Sequence, residues 1–144
     1  MNTFATRQNL KPGDVVIVPK SELKIIEHYL IYIRTDINAE DVYAENIVGF
    51  GVRLITGTQF ARENPKYLRI RRLTGNDYEK YLAVQRAYSL IGKKYSLVGF
   101  NCEDYANYVQ YNKAFSQQTN WAAGFATVLG VALLLGAVAG GGRR

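Results

Sequence analysis

The chain has 144 residues, 48% of them hydrophobic and 21% charged, with a formal charge of +6. That length carries one domain with a real core, and the apolar content excludes a disordered chain. A lone cysteine excludes an internal disulfide, and one cysteine with one histidine leaves too few soft ligands for a zinc centre, so neither metal nor cofactor is expected.

Met1 to Arg7 run into polar residues without the apolar segment of a secretory signal, so the folded part is expected in the cytoplasm, where a thiol stays reduced. Lys11-Pro12-Gly13-Asp14 is a turn, and the β-branched run Val15 to Val18 that follows predicts a first strand closed by Pro19. Ile25 to Ile33 predicts a second strand with His28 near its start. This is the chain's only histidine, and so its only side chain that exchanges a proton freely near neutral pH. Val42 to Val48 predicts a third strand, hairpin-paired with the second across Thr35 to Asp41. Gly49-Phe50-Gly51 interrupts the pattern, and Val52 to Thr56 alternates as a fourth strand.

Arg53, Arg62, Lys66, Arg69, Arg71 and Arg72 crowd the next third of the chain and suit an anionic partner. Tyr67 to Leu73 alternates as a fifth strand with Tyr67, Arg69 and Arg71 on one basic face. No base-stacking pattern accompanies these charges, so an anionic lipid surface fits them better than nucleic acid.

Asn76-Asp77-Tyr78-Glu79 has the spacing of a capping box and opens a predicted helix to about Ile91, with Tyr78, Tyr81, Leu82, Gln85 and Tyr88 as its inner stripe. A second helix begins at Asn101 and runs to about Phe115, with Cys102, Tyr105, Ala106 and Val109 on its apolar face. The cysteine then lies in the first helical turn, where free amides and the positive end of the dipole are expected to lower a thiol below its ordinary pKa of about 8.5. From Trp121 to Ala139 no residue is charged, and that length matches a bilayer crossing with Trp121 as interfacial anchor. Residues 1–116 then form the folded domain and 117–144 a single-pass membrane anchor.

A cysteine at a helix start and a histidine on a strand are the parts of an activated thiol nucleophile: Cys102 attacks, and His28 acts as general base and then acid. A third polar group normally orients the imidazole. The adjacent strand offers Glu45 or Asn46, and spacing leaves both open. Backbone N–H groups at the helix start, including that of Cys102, would form an oxyanion hole.

Lys11-Pro12-Gly13-Asp14 before a strand, His28 followed by Tyr29 to Ile33, and Tyr95-Ser96-Leu97 followed by Asn101-Cys102-Glu103 resemble the lecithin:retinol acyltransferase family, and within it the small phospholipase A/acyltransferases. The resemblance covers nearly the whole chain, including the apolar C-terminal run. It implies an α+β, circularly permuted papain-like fold related to the NlpC peptidases: an antiparallel sheet of four to five strands with the nucleophile helix packed on it and a C-terminal transmembrane helix. It also implies a phospholipid substrate and an acyl-cysteine intermediate on Cys102. This chain departs from the family in two places. Glu45 or Asn46 stands in the region where the family has a second histidine, and Asp104 stands two residues after the cysteine in place of another. The alternatives are a cysteine peptidase or amidase of the same fold, and a membrane-tethered interaction module without activity.

Overall fold

The computed structural model describes residues 2–20, 26–63, 66–67 and 69–113. Val15–Pro19 forms β1, and its unbroken apolar run is buried on both faces of a sheet. Val15 and Ile17 face one layer of the core, Val16 and Val18 the other. Strands β2 (Glu27–Thr35), β3 (Asp41–Ile47), β4 (Gly51–Thr56) and β5 (Arg69–Arg71) complete an antiparallel sheet in the order β4-β3-β2-β1-β5. The expected α+β class with a five-stranded antiparallel sheet is therefore present.

Four helices cover the sheet: α1 (Phe4–Arg7), α2 (Gly57–Glu63), α3 (Asp77–Ser89) and α4 (Cys102–Tyr111). On one face α4 lays Cys102, Tyr105, Ala106 and Val109 against Val15, Ile17, Tyr29, Ile31 and Val52, with Ala83 and Ala87 of α3 behind. On the other face Ala5, Leu10 and Phe60 close over Val16, Val18, Leu30, Tyr43 and Ile55. Neither α1 nor α2 is expected from the sequence, because each is too short to show helical periodicity.

Three expectations need correction. The inner face of α3 is Ala83 and Ala87, while Tyr78 and Tyr81 are exposed and stack on each other. Small side chains let α3 pack closely on α4 and on the turn before β1, with Ala83 against Gly13 and Tyr105 Oη donating to Ala87 O, and of the expected stripe only Leu82 and Tyr88 are partly buried. Helix α4 stops at Tyr111, where Asn112 turns left-handed (φ 57°) as its C-cap. The basic face of β5 is not free. Arg69 donates from Nη2 to Glu27 Oε2 (2.9 Å), Arg71 from Nε to Gln110 Oε1 (2.6 Å), and neighbouring Arg72 from Nη1 to Asp14 Oδ2 (2.9 Å). The apolar run Trp121 to Ala139, read as a membrane span, lies outside the described residues. Among the described residues no helix is long and apolar enough to cross a membrane.

Gly51 opens β4 with φ 70°, and a Cβ there would collide with the Lys93 carbonyl. The segment after α3 depends on that closeness: Val52 N–H donates to Lys93 O and Gly92 N–H to Val52 O, each at 2.9 Å. Gly51→Ala is expected to lower stability by about 1–3 kcal/mol through combined dihedral strain and collision, measured by urea denaturation. Gly49, whose Cβ would meet nothing, should cost less when changed to Ala.

Candidate active site

Helix α4 begins at a fully formed capping box. The Asn101 side chain accepts from the amides of Glu103 (2.9 Å) and Asp104 (3.0 Å), and Asp104 Oδ2 accepts from the Asn101 amide (3.0 Å). Asn46 straps this cap to the sheet. Its Nδ2 donates to the carbonyls of Phe100 (2.9 Å) and Asn101 (3.1 Å), while its Oδ1 is buried without a hydrogen-bond partner.

The thiol lies where two strands part. In β2 the even-numbered residues turn their backbone groups toward β1, as the pairing of Val18 with His28 and the bond from Lys20 N–H to Ile26 O require. The odd-numbered residues therefore turn theirs toward β3, whose pairing with β2 begins only at Leu30 and Glu45. Glu27 O and Tyr29 N–H are left open, and the Cys102 sulfur fills that gap. It donates to Glu27 O at 3.7 Å and accepts from the Tyr29 amide.

His28 lies between those two backbone groups. Strand alternation turns its ring to the side of Leu30 and Tyr43, away from the face on which α4 packs. There Nε2 meets Glu45 Oε2 at 2.7 Å, and the other carboxylate oxygen accepts from Arg53 Nε at 2.8 Å. The structure thus brings His28 and Glu45 together and places Asn46, one residue on, against the Cys102 helix instead. It also brings Cys102 to the backbone on either side of His28, but no hydrogen bond joins the sulfur to the ring among the described residues.

Arg53 as a second partner of Glu45 was missed in the sequence, although the hairpin register about Gly49 pairs positions 45 and 53 directly.

Burial governs the electrostatics. It pushes the Cys102 thiol up to about 11, outweighing the amides of Tyr29, Cys102 and Glu103 and the charge of Lys20, which act to lower it. The expected lowering by the helix start therefore does not occur: an 8% exposed sulfur loses more from desolvation than the helix end returns. Burial also lowers His28 below 6.5 despite its contact with Glu45, so the ring is neutral at pH 7. Burial alone would raise Glu45, but His28 and Arg53 together hold it below 4.5, so it is the ionised member of the pair. A neutral ring facing a carboxylate keeps its proton on Nε2, which leaves Nδ1 as the basic nitrogen. Among the described residues no group of three or more His, Cys, Asp or Glu side chains could hold a metal ion.

Compared with protein-family models, curated proteins and solved structures, the chain matches none.

Both His28 and Glu45 take up a proton less readily in the folded chain than in the unfolded one, so each contributes stability that is lost as pH falls. Thermal midpoints are expected to decline first below about pH 6.5, as the unfolded histidine protonates, and more steeply below about 4.5. Glu45→Gln should cost about 2 kcal/mol at pH 7, flatten the second decline and deepen the first, because the carboxylate it removes holds the His28 pKa up. A variant that leaves the whole profile unchanged would show that the carboxylate is not paired in solution.

Proposed function

We propose that the chain is a cysteine-dependent hydrolase or acyltransferase acting on phospholipid acyl esters, with Cys102 as nucleophile, His28 as base and Glu45 as the residue that orients His28. The observation that supports this most is that the sulfur rests on the two backbone groups flanking His28 while Glu45 holds the far nitrogen of the same ring. On this reading the sheet and α4 are a circularly permuted papain-like arrangement. The apolar run Trp121 to Ala139 anchors the domain at the cytoplasmic side of a membrane, where its substrate lies.

A thiol held near 11 does not stand as a thiolate, so its proton leaves as the new bond forms. Sγ adds to the ester carbonyl carbon while His28 Nδ1 takes the thiol proton. The resulting imidazolium is stabilised by the ionised Glu45 through Nε2–H, and it returns the proton to the departing alcohol oxygen of the lysolipid. The thioester then passes its acyl group to water, an amine or a lysophospholipid hydroxyl, with Nδ1 taking the proton of that acceptor. The Cys102 amide in the first turn of α4 is the nearest donor for the oxyanion. The first step requires Nδ1 and Sγ to meet, and because the ring lies on the side of β2 away from α4, it requires a rearrangement of the β2 edge at Glu27 to Tyr29 and not a rotamer change alone.

A second reading is favoured by the absence of that contact and by the buried, protonated sulfur: an interaction module built on the same scaffold, without activity. The two separate cleanly. If the enzyme reading holds, phospholipid ester cleavage by the full chain is abolished in Cys102→Ala and lowered about 10²–10⁴-fold in His28→Ala. Acyl transfer should accompany it, and a peptide panel should remain uncleaved. Cleavage that persists in Cys102→Ala removes the nucleophile assignment. If the intact chain cleaves neither lipid nor peptide, and alkylation of Cys102 is slow below about pH 9 with or without His28, the interaction module is the correct reading.

A further inference from the structure

The end of the sheet where β2 begins and β3 finishes carries side chains that a water-facing loop does not need. Val48 (67% exposed) and Phe50 (69%) stand on the tight turn between β3 and β4, closed by Phe50 N–H to Ile47 O at 3.2 Å. Leu97 (71%) and Val98 (76%) stand on a second turn, closed by reciprocal 2.9 Å bonds between Ser96 and Phe100. The two turns belong to neighbouring segments, because Val52 exchanges hydrogen bonds with Gly92 and Lys93. Ile26, at the start of β2, and Ile91, just after α3, are exposed at this same end. Cys102 begins α4 two residues after Phe100, so the second turn leads directly into the helix that carries the sulfur.

Cationic side chains accompany these apolar tips. Lys20, Lys93 and Lys94 are exposed at this end, and the Lys93 ammonium lies 3.9 Å from the Phe100 ring centroid. Among the described residues the carboxylates near the tips are paired or buried: Glu27 pairs with Arg69, Glu63 reaches Arg53 at 3.4 Å, and Glu103 and Asp104 are buried. The opposite end, around the start of β1 and the β2–β3 turn, carries both signs, with Asp36 and Glu40 beside exposed Lys11 and Arg34. Exposed apolar tips flanked by lysines match a surface that is apolar a few ångströms in and anionic at its headgroups.

We propose that the β3–β4 turn and the Ser96 to Phe100 turn insert together into an anionic bilayer, which brings the start of α4, with Cys102, to the lipid. This deepens the proposed function by naming the surface through which lipid is reached, but the insertion itself does not require Cys102 to react.

The test uses the full chain with Trp121→Phe, which removes the only tryptophan, and one reporter at a time: Phe50→Trp, Val98→Trp or Ile37→Trp, the last at the opposite end of the sheet. Vesicles of phosphatidylcholine, with or without about a third phosphatidylserine, carry brominated acyl chains as quencher. On the anionic vesicles Phe50→Trp and Val98→Trp are expected to be quenched at least about threefold more than Ile37→Trp, and Lys93→Glu with Lys94→Glu should reduce that quenching by about half or more. Equal quenching at positions 37 and 50 means attachment through the C-terminal run alone and overturns the proposal. So does vesicle-bound protein with neither turn quenched, or quenching that ignores phosphatidylserine. A self-associated chain that shields Phe50→Trp from iodide in lipid-free buffer assigns these tips to a second copy and also overturns it. Cys102→Ala should leave the quenching unchanged, so loss of the catalytic reading and loss of this one are separately visible.

Discussion

Asn101 does two jobs at one point, and the arrangement of the site depends on both. Its side chain closes the N-terminus of α4, and its carbonyl accepts from Asn46 on β3. A helix start carries several unpaired amides, and burying one against a sheet is costly unless each finds an acceptor. The Asn101 and Asp104 box satisfies the amides of Asn101, Glu103 and Asp104, so α4 can end its first turn inside the protein at the place where β3 leaves β2. The sulfur then completes the hydrogen bonding of a strand edge that β3 has vacated. Cys102 is buried for a backbone reason as much as an apolar one.

That burial fixes how the thiol can react. A cysteine at an open helix start would hold a standing negative charge, but here desolvation wins and the proton stays. The histidine is subject to the same force, and remains neutral although it touches a carboxylate. Glu45 beside the ring and Arg53 beyond it neutralise each other across the hairpin, and the charge of Lys20 acts with burial to keep the ring unprotonated. A resting state of neutral thiol and neutral imidazole avoids a buried ion pair, whose desolvation its own attraction would scarcely offset. On the proposed reading, charge then appears only during acyl transfer, where Glu45 is already in position to meet it.

Much of this was legible in the sequence, and the failures share a cause. The five strands showed because Val15 to Val18, Ile31 to Ile33 and Val52 to Thr56 carry β-branched runs between clear turns. The cap at Asn101 and the apolar face of α4 followed from spacing alone. Whether Glu45 or Asn46 meets His28 did not, because one residue of register exchanges the two faces of β3. Alternation has the same effect on His28: a histidine and a cysteine that packing brings to one strand segment can still address opposite sides of it. The arginines of β5 misled for another reason. Composition counts charges and does not reveal that Glu27, Gln110 and Asp14 already engage them. The aromatic stripe on α3 failed because a helix packed closely on another layer selects alanine over tyrosine, a preference of distance that hydropathy does not carry.

With Arg53, Arg69, Arg71 and Arg72 paired within the fold, the lysines near the sulfur's end of the sheet carry positive charge that is free to meet a partner. Lysine keeps its ammonium hydrated on a flexible stem, whereas arginine's fork suits fixed partners within the protein. The division is visible here: Arg53, Arg69, Arg71 and Arg72 lock strands to neighbouring segments, and Lys20, Lys93 and Lys94 stand free of that work around the sulfur's end of the sheet. If it is the proposed nucleophile, a thiol kept dry by its own strand is poorly placed to meet a substrate dissolved in water. It is better placed to meet one delivered from an apolar phase held against that same end, where the substrate brings no water and the neutral pair has no charge to lose to solvent.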